Sequence, residues 1–251
     1  MLIKEMTYIT PYKLDRQLHI WLPEDYEGSD RRYPVMYMYD GHNLFLDEDA
    51  TYGKSWGLKD YLEMEKLPLI IVGIECNHEG DMRLQEFCPF DFMNFNKVPM
   101  KGTGQIFMQW VVEELKPYID SHYRTLPDRA HTGIGGSSMG GLMSLYSVIR
   151  HNDVFSRAAC LSSALPFCYK EMKNELASHG EFLPDTRVYL SWGSKESGRK
   201  PGLVRYTCGN LEFNHLLTER GAITYPYLQA YGGHCEADWE KQLPVFMPFL
   251  W

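Results

Sequence analysis

Gly133-Ile134-Gly135-Gly136-Ser137-Ser138-Met139-Gly140-Gly141 lies near the middle of the chain and decides how the rest is read. Ser138 has a glycine two residues away on each side, Gly136 and Gly140, which makes it the serine of a G-x-S-x-G pattern. In that pattern the serine sits on a sharp turn between a strand and a helix, and the flanking glycines admit a backbone crowding that side chains would forbid. Ser137 has no such pair of neighbours. The surroundings suit the turn: residues 131–135 read as a short buried strand, and Leu142 to Val148 as an apolar helix start.

Outward from this turn, nearly unbroken apolar runs at 33–39, 69–74, 155–161, 188–192 and 224–230 predict strands buried on both faces. Helical spacing is predicted at 56–65, 105–123, 172–178, 211–220 and from about 236 through 245, with Pro117 set to kink or end the second of these. Two alternating runs at 3–9 and 18–22 read as an antiparallel hairpin. The expected fold is therefore α/β: a mostly parallel central sheet behind an N-terminal antiparallel hairpin, with helices on both faces, as one domain over 1–251. Periodicity vanishes over 77–104, where Phe87, Phe90, Phe92, Met93, Phe95 and Met100 accumulate. A connection this long is predicted to serve as a lid or substrate-binding loop.

The formal charge of -8 comes without any basic block, so neither nucleic acid nor an anionic membrane is an expected partner. No apolar run approaches membrane-spanning length, and the first residues lack a basic region followed by an apolar one. The six cysteines show no C-x-x-C pair and no Cys/His spacing suited to zinc, so free thiols, a cytoplasmic location, no metal and no cofactor are the expectations.

The residues able to do chemistry follow core strands. A serine hydroxyl needs a base within hydrogen-bond reach to become a nucleophile. His234 suits that task, because it follows the last strand and Gly232-Gly233 and comes after the serine in the order serine, acid, histidine. The acid that would hold its tautomer is assigned to Glu196, on the turn after strand 188–192. Asp238 and Glu236 compete by closeness in sequence, but their place at the start of the last helix points them along it. Backbone amides of Met139 and of His42, in the turn Asp40-Gly41-His42-Asn43 after the first core strand, are placed to receive a developing oxyanion. Candidate substrate walls are Phe45, Tyr52 and Trp56, and Phe90, Phe92 and Met93 in the long connection. Arg83 has two readings, contact with an acidic leaving group or a surface salt bridge.

Taken together, Tyr39-Asp40-Gly41-His42-Asn43-Leu44-Phe45, Ser138 in its glycine frame, Trp192-Gly193-Ser194-Lys195-Glu196 and Gly232-Gly233-His234 resemble the putative-esterase branch of the α/β-hydrolases. That branch includes esterase D, feruloyl esterases, enterochelin esterases and mycolyltransferases. Lys54-Ser55-Trp56-Gly57 and Arg83-Leu84-Gln85-Glu86-Phe87 are similar to its bacterial cytoplasmic members. The resemblance implies a Ser138 nucleophile, a His234 base, an acid on the Glu196 turn and the two amides as oxyanion hole. The implied activity is serine carboxylic-ester hydrolysis through an acyl-enzyme, on small acyl, acetyl-sugar or aromatic-acid esters. Acyl transfer or thioester cleavage on the same residues, or a noncatalytic binding role, are the alternatives.

Overall fold

The computed structural model describes residues 1–94 and 96–251; Phe95, one of the aromatics of the long connection, lies outside the described residues. The strands are β1 (Leu2–Ile9), β2 (Leu14–Trp21), β3 (Val35–Tyr39), β4 (Ile70–Ile74), β5 (Phe92–Met93), β6 (Pro99–Met100), β7 (Thr132–Ser137), β8 (Arg157–Leu161), β9 (Arg187–Gly193) and β10 (Ile223–Gln229). Among the described residues, eight of them form one sheet in the order β1-β2-β4-β3-β7-β8-β9-β10. The β1–β2 hairpin is antiparallel and joins β4 antiparallel, while every other pairing in that sheet is parallel.

Helices α1 (Leu58–Glu65), α2 (Met82–Glu86), α3 (Gly104–Trp110), α4 (Lys116–His122), α5 (Met139–Arg150), α6 (Tyr169–Ser178), α7 (Lys200–Glu219), α8 (Glu236–Glu240) and α9 (Leu243–Leu250) cover both faces. Alternation along β3 shows how the layers form. Val35, Tyr37 and Tyr39 point into one core with Phe107, Leu142 and Phe213, whereas Met36 and Met38 enter a second with Trp56, Leu62 and Phe246. Each large side chain so withdrawn from water contributes about 1.5–3 kcal/mol.

The chain leaves β3 toward β4 on one side and resumes at β7 on the other. The carboxyl ends of β3 and β7 thus flank the point where strand order reverses, the crevice in which such sheets hold ligands.

Several elements differ from expectation. The helix at 105–123 is continuous to His122 but contains a π-helical turn, Val111–Leu115, just before Pro117. The wider turn absorbs the proline that regular winding would clash with. α7 has 20 residues, about twice the predicted span, because Pro201 and Gly202 begin it and Gly209 interrupts its apolar spacing. The terminal helix is two, α8 and α9, the second starting with Pro244 in its first turn. The 77–104 connection holds α2 and the two-residue ribbon β5–β6.

Candidate active site

Ser138 links β7 to α5 with φ 57° and ψ −118°, a conformation that side chains other than glycine's rarely adopt. It is held there by its own backbone: its N–H donates to Leu161 O at 2.9 Å, and its carbonyl accepts from Leu142 N at 3.0 Å and Ala164 N at 2.9 Å. Gly140 lies so close to β3 that a Cβ on it would stand 2.8 Å from Tyr39 Cβ. The helix start is thereby pressed onto the neighbouring strand, with the serine at its tip.

Two strands away, Glu196 and His234 meet: His234 Nδ1 is 3.0 Å from Glu196 Oε2. The carboxylate is nearly buried, while the imidazole is 41 % exposed. Glu196 Oε1 accepts from Ser162 Oγ at 2.7 Å and from the Gly193 N–H. Ser162 in turn accepts from Trp239 Nε1 at 2.9 Å. The acid turn and the histidine loop are stitched together by Ser194 N to Gln229 O, 3.0 Å, and Lys195 N to Gly232 O, 2.8 Å. A Cβ on Gly193 would run into that same Gly232 carbonyl. Residues 162–164 bracket the whole, since Ser162 bonds Glu196 and Ala164 bonds the Ser138 carbonyl. Asp238 is engaged elsewhere. Its Oδ2 accepts from Gly233 N at 2.7 Å and its Oδ1 from Lys241 Nζ at 2.7 Å, so it shapes the loop that carries His234.

The turn after β3 is also strained. Asp40 is left-handed, φ 57° and ψ 49°, and opens the short 3-10 turn Gly41–Asn43. Its carboxylate is gripped bidentately by Arg83, Nε to Oδ1 at 2.6 Å and an η-nitrogen to Oδ2 at 2.7 Å. Burial raises the Asp40 carboxyl and the Arg83 guanidinium overcomes that, leaving it below the ordinary carboxylate range. Among the described residues, no backbone carbonyl accepts from the N–H of His42 or of Met139, the two amides beside these strained residues.

The family model described as "Putative esterase" matches residues 11–250. The chain belongs to the putative-esterase family. It is accordingly a carboxylic-ester hydrolase with the α/β-hydrolase fold, and its substrate is a small-molecule ester. It is 24 % identical over 196 residues to the uncharacterized protein YbbA of Bacillus subtilis (strain 168), across 76 % of this chain and 73 % of that one. Of further curated relatives it spans only 28 % or 23 % of the length. An IroE-like serine hydrolase from Shewanella oneidensis superposes with a TM-score of 0.77 at 21 % identity, over 100 % of this chain and 79 % of the other. A ferulic acid esterase superposes with 0.71 at 20 % identity, over 100 % and 97 %. At these identities the likeness to solved structures is one of fold.

The expected wall residues of this esterase separate into three groups. Phe45 and Trp56 are core side chains, the first stacked on Trp21 and the second, 2 % exposed, against Trp239 and Phe246. They fill the core that also holds Met36, Met38 and Trp239, so they do not present a wall to solvent. Tyr52 is 83 % exposed. Phe90 packs edge-on to Tyr146, Phe92 against Phe167, and Phe92 and Met93 line a shallow recess with Pro99 and Met100. Of the two readings of Arg83 the structure shows the salt bridge, with Asp40 as its partner, while Ser162 and Trp239 are additions that the sequence did not single out. The placement of Ser162 at the end of a core strand was the signal available for it. Among the described residues no helix is long and apolar enough to cross a membrane.

Proposed function

We propose that this esterase works through Ser138, His234 and Glu196, with the His42 and Met139 amides as oxyanion hole, on small acyl, acetyl-sugar or aromatic-acid esters. The observation that carries the reading is the His234 Nδ1 to Glu196 Oε2 contact of 3.0 Å in a loop bonded through 162–164 to the strained Ser138 turn. With Nδ1 committed to the carboxylate, Nε2 is the nitrogen left to take the serine proton. Ser138 Oγ attacks the ester carbonyl as His234 accepts its proton, and the carbonyl oxygen takes up negative charge facing the two amides. Collapse expels the alcohol, which receives that proton from the imidazolium. Water then repeats the sequence on the acyl-serine. Two further donors, Ser162 Oγ and the Gly193 N–H, hold the buried Glu196 carboxylate fixed beside the imidazolium that forms. No cofactor is needed for any of these steps.

Support for an aromatic or acyl group comes from Phe90, Phe92 and Met93 in the 77–104 connection, which we read as the substrate-binding loop of a single functional unit. A ferulic acid esterase among the similar folds is consistent with that choice. Six free cysteines fit a reducing, cytoplasmic setting.

The test is covalent labelling with a fluorophosphonate, located by peptide mass, together with p-nitrophenyl ester turnover. The reading requires the label on Ser138, and requires Ser138→Ala to lose both label and turnover while keeping its thermal midpoint. A label elsewhere, or a fully active Ser138→Ala, would overturn it.

A further inference from the structure

Beside the turn that carries the His42 amide, two separate stretches bring a thiol and two imidazoles together. His42, Cys76 and His78 each offer a donor atom, and the three atoms all lie within 4.8 Å of one another. Cys76 Sγ is 3.9 Å from His78 Nδ1, and the His42 and His78 rings meet edge to face at 4.7 Å. We propose that His42, Cys76 and His78 form a binding site for a divalent cation of the zinc class, held by two imidazole nitrogens and a thiolate, with a fourth position open to solvent.

Donor chemistry and outer partners argue for this site. Two nitrogens and one sulfur suit a borderline-soft ion and reject calcium or magnesium. Around zinc, donors at about 2.0–2.3 Å from the metal are ~3.5 Å apart, so the trio must contract by roughly 1 Å. His78 is the exposed member of the trio, so the adjustment falls to it, whereas His42 and Cys76 are buried. Each ring already has an outer partner on Nε2: Thr51 Oγ1 at 3.1 Å for His42 and Glu75 Oε2 at 3.4 Å for His78. That pattern fixes the tautomer and orients an imidazole toward a metal. The remaining nitrogen of His42, Nδ1, is buried and meets no hydrogen-bond partner among the described residues, a costly state for an imidazole with no ligand. No zinc spacing is visible along the chain because the Cys76-x-His78 pair is completed by His42 from another strand end. On binding, the Cys76 S–H bond breaks, its electron pair forms the metal–sulfur bond, and the proton passes to solvent. No oxidation state changes.

Zinc alone, titrated into the full chain in competition with a chromophoric chelator, tests the site without reference to ester hydrolysis. One equivalent should bind, with affinity on the order of 100-fold weaker in His78→Ala and in Cys76→Ser. Cobalt in its place should show a sulfur-to-metal charge-transfer band that Cys76→Ser abolishes. His78 is a surface side chain, so its variant keeps the fold and its loss of binding reads the site directly. Failure of the wild-type chain to hold zinc at micromolar free metal overturns the proposal, as does equal affinity in wild type and His78→Ala.

Discussion

Trp239 braces His234 twice, once directly and once through a relay. Its indole meets the imidazole edge to face at 5.2 Å and 81°, and its Nε1–H bonds Ser162, whose hydroxyl donates to Glu196. Ser162→Ala removes one of three donors to the carboxylate and strands a buried indole N–H. We predict a fall in kcat of about tenfold with KM nearly unchanged. Trp239→Phe keeps an aromatic ring beside His234, removes the indole N–H, and leaves Ser162 able to donate to Glu196, so its loss of kcat should be the smaller. Steady-state kinetics on one chromogenic ester decide between them.

Under the proposed mechanism Arg83 is a positioning residue, working through the Asp40 carboxylate that it grips. Without the bidentate grip, a left-handed aspartate has little reason to stay so, and the His42 amide turns with it. Arg83→Met is predicted to cost on the order of 100-fold in kcat, the scale of one lost oxyanion donor. Arg83→Lys, which keeps the charge but not the fork, should recover only part of that. A variant with unchanged kcat would show the pair to be structural.

For the acid, Glu196→Gln is expected to lower kcat by two orders of magnitude or more, since the amide holds the wrong tautomer. Asp238→Asn should chiefly loosen the 232–238 loop. It would lower the thermal midpoint by a few degrees, with a loss of turnover of less than about tenfold. The reverse ranking in kinetics would reassign the acid.

Arg16 and Glu86 tie β2 to α2 in a buried pair, with η-nitrogens at 2.5 and 2.8 Å from the two carboxylate oxygens. Burial pushes the Glu86 carboxyl up, against the pull of Arg16. Arg16→Met leaves that charge uncompensated and should cost about 3–5 kcal/mol in denaturant unfolding. A carboxyl raised in the folded state binds its proton more tightly there, so its stability contribution is lost as pH rises through the interval above the ordinary carboxylate range. Removing Arg16 raises it further, and the deficit of the variant should therefore be larger at pH 8 than at pH 5.

What the sequence made legible were features with a local cause. Apolar runs such as 69–74 marked the core strands, and the glycines around Ser138 marked the turn, because both effects act between near neighbours. The break between α8 and α9 was masked by an unbroken apolar spacing, and the length of α7 by Gly202 and Gly209. That Glu196 and His234 would come together was readable from their places after strands. Ser162 and Trp239 could not be read this way, since they act through side-chain contacts between elements far apart in sequence, and for Arg83 a salt bridge was readable but its partner Asp40 was not. Phe45 and Trp56 showed the opposite error: an aromatic after a strand end has the same signature whether it faces substrate or core.

Pro226 sits in the middle of β10, the last strand of the sheet, opposite Leu190. A ladder accepts proline where the missing N–H would have faced the open side. Ile223, Tyr225 and Leu228 leave apolar surface along this strand, a combination that invites a second chain to add on. With one donor absent from the middle of the row, the edge is a poor template, and the protein carries its own stop against sheet growth in concentrated solution.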